Sequence, residues 1–214
     1  MAHLNLEEQE QIAKIKYFLR DYGKYIIGLI VVMAIIYGVS GIRSYKNEKN
    51  TKEAAIIYAK LSLNTTLTNP TVDKNVIYSV TDELENKYSA TEYASFASLF
   101  AAKTAFDDAN FTKSMNYLQW VILHAKDKSL VAIAKLRLAD VYIDTNKLQD
   151  AINITTDKVE DSFKPLFYQK RGDAYLVMNN KPKAVESYKS ALELSRDNQD
   201  LAQLIQIKLD ILNN

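Results

Sequence analysis

The chain has 214 residues, enough for one principal globular domain with a further segment beside it. Its 27 Lys and Arg against 26 Asp and Glu leave a formal charge of +1, so there is no global field to draw in nucleic acid or an acidic substrate. The absence of cysteine excludes disulfide frameworks, thiol nucleophiles and thiolate zinc sites.

The first element is an apolar run, YIIGLIVVMAIIYGVSGI, with no charged residue between Lys24 and Arg43. At about 1.5 Å rise per residue it just spans a hydrocarbon core of roughly 30 Å. A core helix would show a polar face, and a signal peptide would have a shorter apolar centre before a small-residue cleavage site. Neither fits, so the run reads as a single uncleaved transmembrane helix over residues 25–42. Tyr25 and Tyr45 fall at its expected interfaces, and Lys24, Arg43 and Lys46 can reach the headgroups. Ala34, Gly38 and Gly41 recur at helical spacing and form a small-residue face on which another helix could pack. Basic residues flank both ends in similar number, so the positive-inside rule leaves the orientation open.

Beyond Lys46, apolar residues recur at three- and four-residue steps. With one glycine and three prolines in this region there are few tight strand turns to be made. The pattern predicts helices near 44–68, 72–88, 91–107, 111–126, 129–145, 148–157, 165–179, 182–195 and 199–212. Joints such as Thr68-Asn69-Pro70, Asp107-Asp108-Ala109-Asn110, Thr145-Asn146-Lys147 and Asn179-Asn180-Lys181-Pro182 separate them.

Two of these helix pairs repeat. Leu138-Ala139-x-x-Tyr142 followed by Ala151 returns, 33 residues on, as Arg171-Gly172-x-x-Tyr175 followed by Ala184. The second copy adds Tyr168, Tyr188 and Ala191. Small residues where paired helices touch, with large residues filling the space between pairs, are the mechanics of a tetratricopeptide-type solenoid. The first copy is weaker, with Lys135 and Thr155 at positions that should be large and apolar. Upstream, Ala102 and Ser114 could open a further pair, but Ala102 precedes Ala139 by 37 residues, a slipped register. The expected fold is all-α, one N-terminal transmembrane helix followed by a tetratricopeptide-like helical-hairpin solenoid: tail 1–24, span 25–42, repeat domain 43–214.

Motifs for chemistry are missing. His3 lies in the terminal tail and His124 on a helix flank, with no HExxH-like spacing, phosphate loop, nucleophile elbow or spaced carboxylate cluster. The expectation is a protein without enzymatic activity, cofactor or metal, and without a nucleic-acid partner. Arg171-Gly172-Asp173 spells an adhesion tripeptide, but Gly172 stands at the small-residue position of a repeat and reads as packing. Trp120 suits a core position. A partner groove would lie along the first helices of the pairs, where Asp140 and Asp173 are equivalent, with Asp144 and Gln169 one turn away.

Three blocks give the chain a resemblance over essentially its whole length to the YfgM-type ancillary subunits of the bacterial SecYEG translocon. They are Phe18-Leu-Arg-Asp-Tyr-Gly-Lys24 before the apolar run; Leu118-Gln-Trp-Val121 continued by Ala125, Asp127, Leu130 and Ile133-Ala-Lys-Leu-Arg-Leu-Ala139; and Arg171-Gly-Asp-Ala-Tyr-Leu176 with Lys183-Ala184 and Tyr188-Lys-Ser-Ala191. The middle block is the most specific, and the last is shared by many repeat proteins. The resemblance implies a short cytoplasmic tail, one inner-membrane span and a periplasmic repeat domain. It also implies association with SecYEG, with a PpiD-type periplasmic chaperone and with emerging secretory polypeptides. Lys135 and Thr155 depart from the repeat pattern and weaken any transfer of groove residues. A cytosol-facing membrane tether recruiting soluble regulatory factors is the competing expectation.

Overall fold

The computed structural model describes residues 6–66 and 73–213, without the side chains of 6–9, 13, 15, 19, 26, 39, 42, 43, 62–66 and 213. Every regular element among them is helical. In chain order these are α1 (Leu6–Thr66), α2 (Lys74–Tyr88), α3 (Glu92–Asp107), α4 (Phe111–His124), α5 (Lys128–Asp144), α6 (Leu148–Thr156), a one-turn 3₁₀ helix (Asp161–Phe163), α7 (Lys164–Val177), α8 (Lys181–Leu194) and α9 (Gln199–Asn213). Two compact units are distinct, Met1–Lys49 and Asn50–Asn214.

In the first unit the apolar run is part of α1, a single helix that also takes in the segment expected to start anew at 44. Nothing between Leu6 and Thr66 breaks it: the run holds no proline, and its glycines weaken a helix without ending it. Ile27, Leu29, Ile30, Ile35 and Ile36 are each 59–64 % exposed, so the described side chains of this unit do not cover them. Among the described residues no helix is long and apolar enough to cross a membrane. Ile26, Val39 and Ile42 of the run lie outside the described side chains, as do the joint Thr68-Asn69-Pro70 and the expected end of a helix at 68.

The second unit stacks α2 to α9 in sequence, each helix packing on the next, with α5 also meeting α7. Asp73, Asn110, Asp127 and Asn180 each accept a backbone N–H in the first turn of the helix that follows, as short polar N-caps do. The larger core joins Ala54 and Leu61 of α1 to Ile77, Leu84, Ala94, Leu118, Val121, Ala134 and Leu138. A second cluster packs Ala184, Tyr188 and Ala191 of α8 on Ile205, Leu209 and Leu212 of α9, and a small one joins Ala151, Ile152 and Ala174.

Three helical hairpins, α3/α4, α5/α6 and α7/α8, turn in the same way. Ala109, Asn146 and Asn179 hold φ of 56°, 56° and 58°. The next residue, Asn110, Lys147 or Asn180, donates its N–H five residues back to the carbonyl of Ala105, Tyr142 or Tyr175. This is a Schellman closure, in which a left-handed residue lets the chain satisfy the last carbonyls of a helix. The turn aligns Ala102 with Ala139 and Gly172, and Ser114 with Ala151 and Ala184, always twelve residues apart within a hairpin. The slipped register is therefore a difference between hairpins, with the pair itself intact: α4 has 14 residues where α6 has 9 and α5 has 17 where α7 has 14, while the connection after α4 is shorter than the 3₁₀-containing one after α6.

Asparagine tolerates the left-handed region, whereas alanine is strained there by its Cβ. Ala109→Gly is expected to raise stability by about 0.5–1 kcal/mol by removing the Cβ strain at φ 56°. The unfolding midpoint in urea checks it. A midpoint at or below that of the unchanged chain contradicts this account of the turn.

Candidate functional site

The repeat-packing positions face inward to different degrees. Ala139, Ala151, Ala184, Tyr188 and Ala191 are fully buried, Leu138 nearly so, and Tyr142, Tyr168 and Tyr175 are half-buried. Gly172 lies under the Tyr188 ring: a Cβ added there would meet Cε1 at 2.6 Å and Cδ1 at 2.7 Å. That contact leaves room only for hydrogen, which gives the tripeptide Arg171-Gly172-Asp173 a packing geometry on its helix. The weak positions are accommodated without large apolar groups. Lys135 lays its stem inward and pairs with Asp157 at 2.5 Å, while buried Thr155 donates its hydroxyl to the Ala151 and Ile152 carbonyls. The Thr155 carbonyl in turn accepts from Arg171. Ser114, standing where the later hairpins have alanine, donates to the Ala102 carbonyl at 2.8 Å and so ties the first hairpin at its contact point.

The candidate groove residues fall on the first helices, but two of the three carboxylates are already engaged. Lys170 bridges Asp140 at 2.5 Å and Asp173 at 3.6 Å, Lys208 reaches Asp173 at 2.5 Å, and the Tyr188 hydroxyl donates to Asp173 at 2.6 Å. A line of ion pairs thus ties α5 to α7 and α7 to α9. Arg137 extends it toward α3 by donating to the Leu99 carbonyl at 3.1 Å. Gln169 is buried, and Asp144 stays exposed. Burial pushes the Asp140 carboxyl above its usual range, and Lys170 only partly offsets it. Burial alone would lower the Lys170 ammonium, but Asp140 and Asp173 outweigh it and hold the pKa above the ordinary lysine value.

Burial first, then the bond to Asp173, raises the Tyr188 phenol, and Tyr117 is raised in the same way with Asp82 as its acceptor. Both phenols hold their protons in the folded chain, whereas the unfolded chain releases them near the ordinary value of 10.0. Their contribution is therefore complete below pH 10 and declines as pH rises past it. Thermal unfolding followed across that range should show the decline, and Tyr188→Phe should make it shallower. An equally steep decline in that variant would remove Tyr188 from the account.

Beside the ion-pair line, α3, α4 and α5 enclose an open cavity of about 420 Å³. Phe106, Leu118 and Val141 supply its apolar wall, and Asp107, Asp140 and Asp144 stand among its polar lining. Sequence reasoning reached Asp140 through its repeat equivalence with Asp173, and Asp144 as the position one turn beyond it. It missed Lys170 and Lys208, which follow their partner carboxylates by different offsets, and it missed the cavity, whose walls come from a hairpin displaced by the 37-residue step.

Other positions have no such assembly. Ala34, Gly38 and Gly41 are exposed, and a Cβ added at Gly38 or Gly41 meets nothing within 4 Å. His124 is exposed, stacked on Trp120 at 4.5 Å with its Nδ1 2.9 Å from the Trp120 carbonyl oxygen, and Trp120 itself is half-buried against the core. Among the described residues no group of His, Asp and Glu could hold a metal ion.

Three identically closed hairpins, small residues at their contact points and aromatic residues between them define a tetratricopeptide-like helical-repeat protein. The family model described as a tetratricopeptide repeat-like domain matches residues 16–214. A Neisseria gonorrhoeae protein named Ancillary SecYEG translocon subunit is 30 % identical over 210 residues, covering 97 % of this chain and 98 % of its own. Its namesake in Haemophilus influenzae is 24 % identical over 97 % of this chain and 98 % of that one. A Buchnera aphidicola protein of the same name is 30 % identical over 55 % of this chain and 60 % of its own. The chain belongs to the YfgM-type family of these ancillary subunits.

Proposed function

We propose that the chain is a non-enzymatic scaffold of the Sec translocon, tethered in the bacterial inner membrane by residues 25–42. In this reading the tail 1–24 is cytoplasmic and the repeat domain 43–214 periplasmic. The repeat domain brings a PpiD-type chaperone and emerging secretory polypeptides together beside SecYEG. The observation that carries the reading is the end-to-end match to proteins named for the translocon, which takes in the apolar run and the repeat domain alike.

The apolar run supports the tether because its described side chains lack cover within their own unit, and so large an apolar stripe is suited to lipid. Ala34, Gly38 and Gly41 supply a face for close approach of a membrane helix of the translocon. Binding by the repeat domain is interface burial with no chemical step. A tagged chain extracted in mild detergent should bring down SecY and a PpiD-type chaperone, and a clean extract containing neither overturns the reading. Alkaline phosphatase fused after Asn214 should be active; activity of a cytosolic reporter at the same place would favour the cytosol-facing tether.

A further inference from the structure

We infer that the cavity between α3, α4 and α5 receives a polypeptide segment carrying an aliphatic or aromatic side chain next to a lysine or arginine. The inference rests on the scaffold reading and adds the chemistry of what the repeat domain holds. The wall of Phe106, Leu118 and Val141 offers an apolar side chain cover within about 420 Å³, a volume suited to one or two such side chains.

The charge at the mouth selects the neighbouring residue. Asp107 and Asp144 occupy the same position in successive hairpins, each two residues before the left-handed turn and each at the last residue of a helix. The carbonyl ends of α3 and α5 add their negative partial charge at that lip. Of the two cations in the lining, Lys103 pairs with Asp107 at 2.5 Å within its own helix, and Arg137 keeps its charge while directing an N–H to the Leu99 carbonyl of α3. Asp144 is exposed, and its carboxylate has no hydrogen bond or ion pair among the described residues. An exposed Lys103–Asp107 pair is weak and yields readily to an incoming cation. A basic residue beside the apolar anchor therefore meets two carboxylates of the lining, Asp107 and Asp144, whereas an acidic one finds Lys103 already paired and Asp144 opposing it.

The test uses the full chain in mild-detergent micelles and two fluorescein-labelled synthetic peptides, one alternating leucine and lysine, the other leucine and glutamate. The leucine–lysine peptide should bind in a protein-dependent, salt-weakened manner, and the glutamate twin should not. Asp107→Asn with Asp144→Asn should weaken binding roughly tenfold, as expected for two half-exposed charge contacts. Both positions are exposed, so the melting curve of the double variant should match that of the unchanged chain. Equal binding of the two peptides, an unchanged affinity in the double variant, or binding to empty micelles alone overturns the inference. Co-purification with SecY separates the two readings. If the double variant keeps it and loses the peptide, both hold; if the unchanged chain binds the peptide without SecY, only the scaffold reading falls.

Discussion

Replacing Gly172 by valine is expected to destabilise the repeat domain by about 3 kcal/mol. The first added carbon would sit 2.6–2.7 Å from two atoms of the Tyr188 ring, well inside van der Waals contact. The ring cannot swing away at low cost. It is fully buried among Ala184, Ala191 and Ile205, and its hydroxyl is held by Asp173 at 2.6 Å. Removing a glycine from a helix interior contributes up to about 1 kcal/mol in the opposite direction. The steric term exceeds it, so Gly172→Ala should fall between the two and still destabilise. Urea unfolding of the purified chain gives the size. The cause is tested by pairing Gly172→Val with Tyr188→Leu: the double variant should lose less than the sum of the single losses. Additive losses would show that the Tyr188 ring is not what Gly172 makes room for.

Asp173→Ala should cost about 2 kcal/mol. This carboxylate serves Tyr188, Lys208 and Lys170 together, from α8, α9 and its own helix α7. Lys170 and Lys208 are 21 % and 30 % exposed at their side chains, so both ammonium groups can turn toward water after the change and the ionic loss is modest. The Tyr188 hydroxyl lies in a fully buried residue and loses its acceptor, which is the larger part of the effect. Asn at the same position retains an acceptor for the hydroxyl and should recover about half. A stability within 0.5 kcal/mol of the unchanged chain, the ordinary scatter of surface substitutions, would contradict this assignment.

Most of the helix boundaries were legible in the sequence because the joints carry short polar and proline residues with direct backbone roles. Asn110 and Asn180 cap the helices that follow them, and Asn146 and Asn179 supply the left-handed turns. Small residues at Ala139, Gly172, Ala151 and Ala184 disclosed the hairpins that share a 33-residue step. The hairpin α3/α4 was harder to read. Ala105 stands where Tyr142 and Tyr175 stand later, and Ser114 replaces alanine, so the residue pattern is blurred although the turn is the same. Repeat equivalence located Asp140 and Asp173 on one face, but it carried no information about their cations. Those follow by 30 residues in one case and 35 in the other, because α7 and α9 present their lysines from different turns. Long lysine stems reach over such differences, and periodicity does not record them. The small-residue face at Ala34, Gly38 and Gly41 is equally plain in the sequence, and a Cβ added at Gly38 or Gly41 meets nothing within 4 Å.

The ties between successive first helices make the repeat domain a series of neighbours, each holding only the next. In such an array opening begins at an end and advances one hairpin at a time. Detaching α9 removes Lys208 from Asp173 and uncovers the apolar side of α8, while α3, α4 and α5 keep their own contacts. Amide exchange should therefore be fastest in α9, slower in α7 and α8, and slowest around Leu118 and Leu138, so the cavity survives fluctuations that loosen the carboxyl-terminal end of the domain.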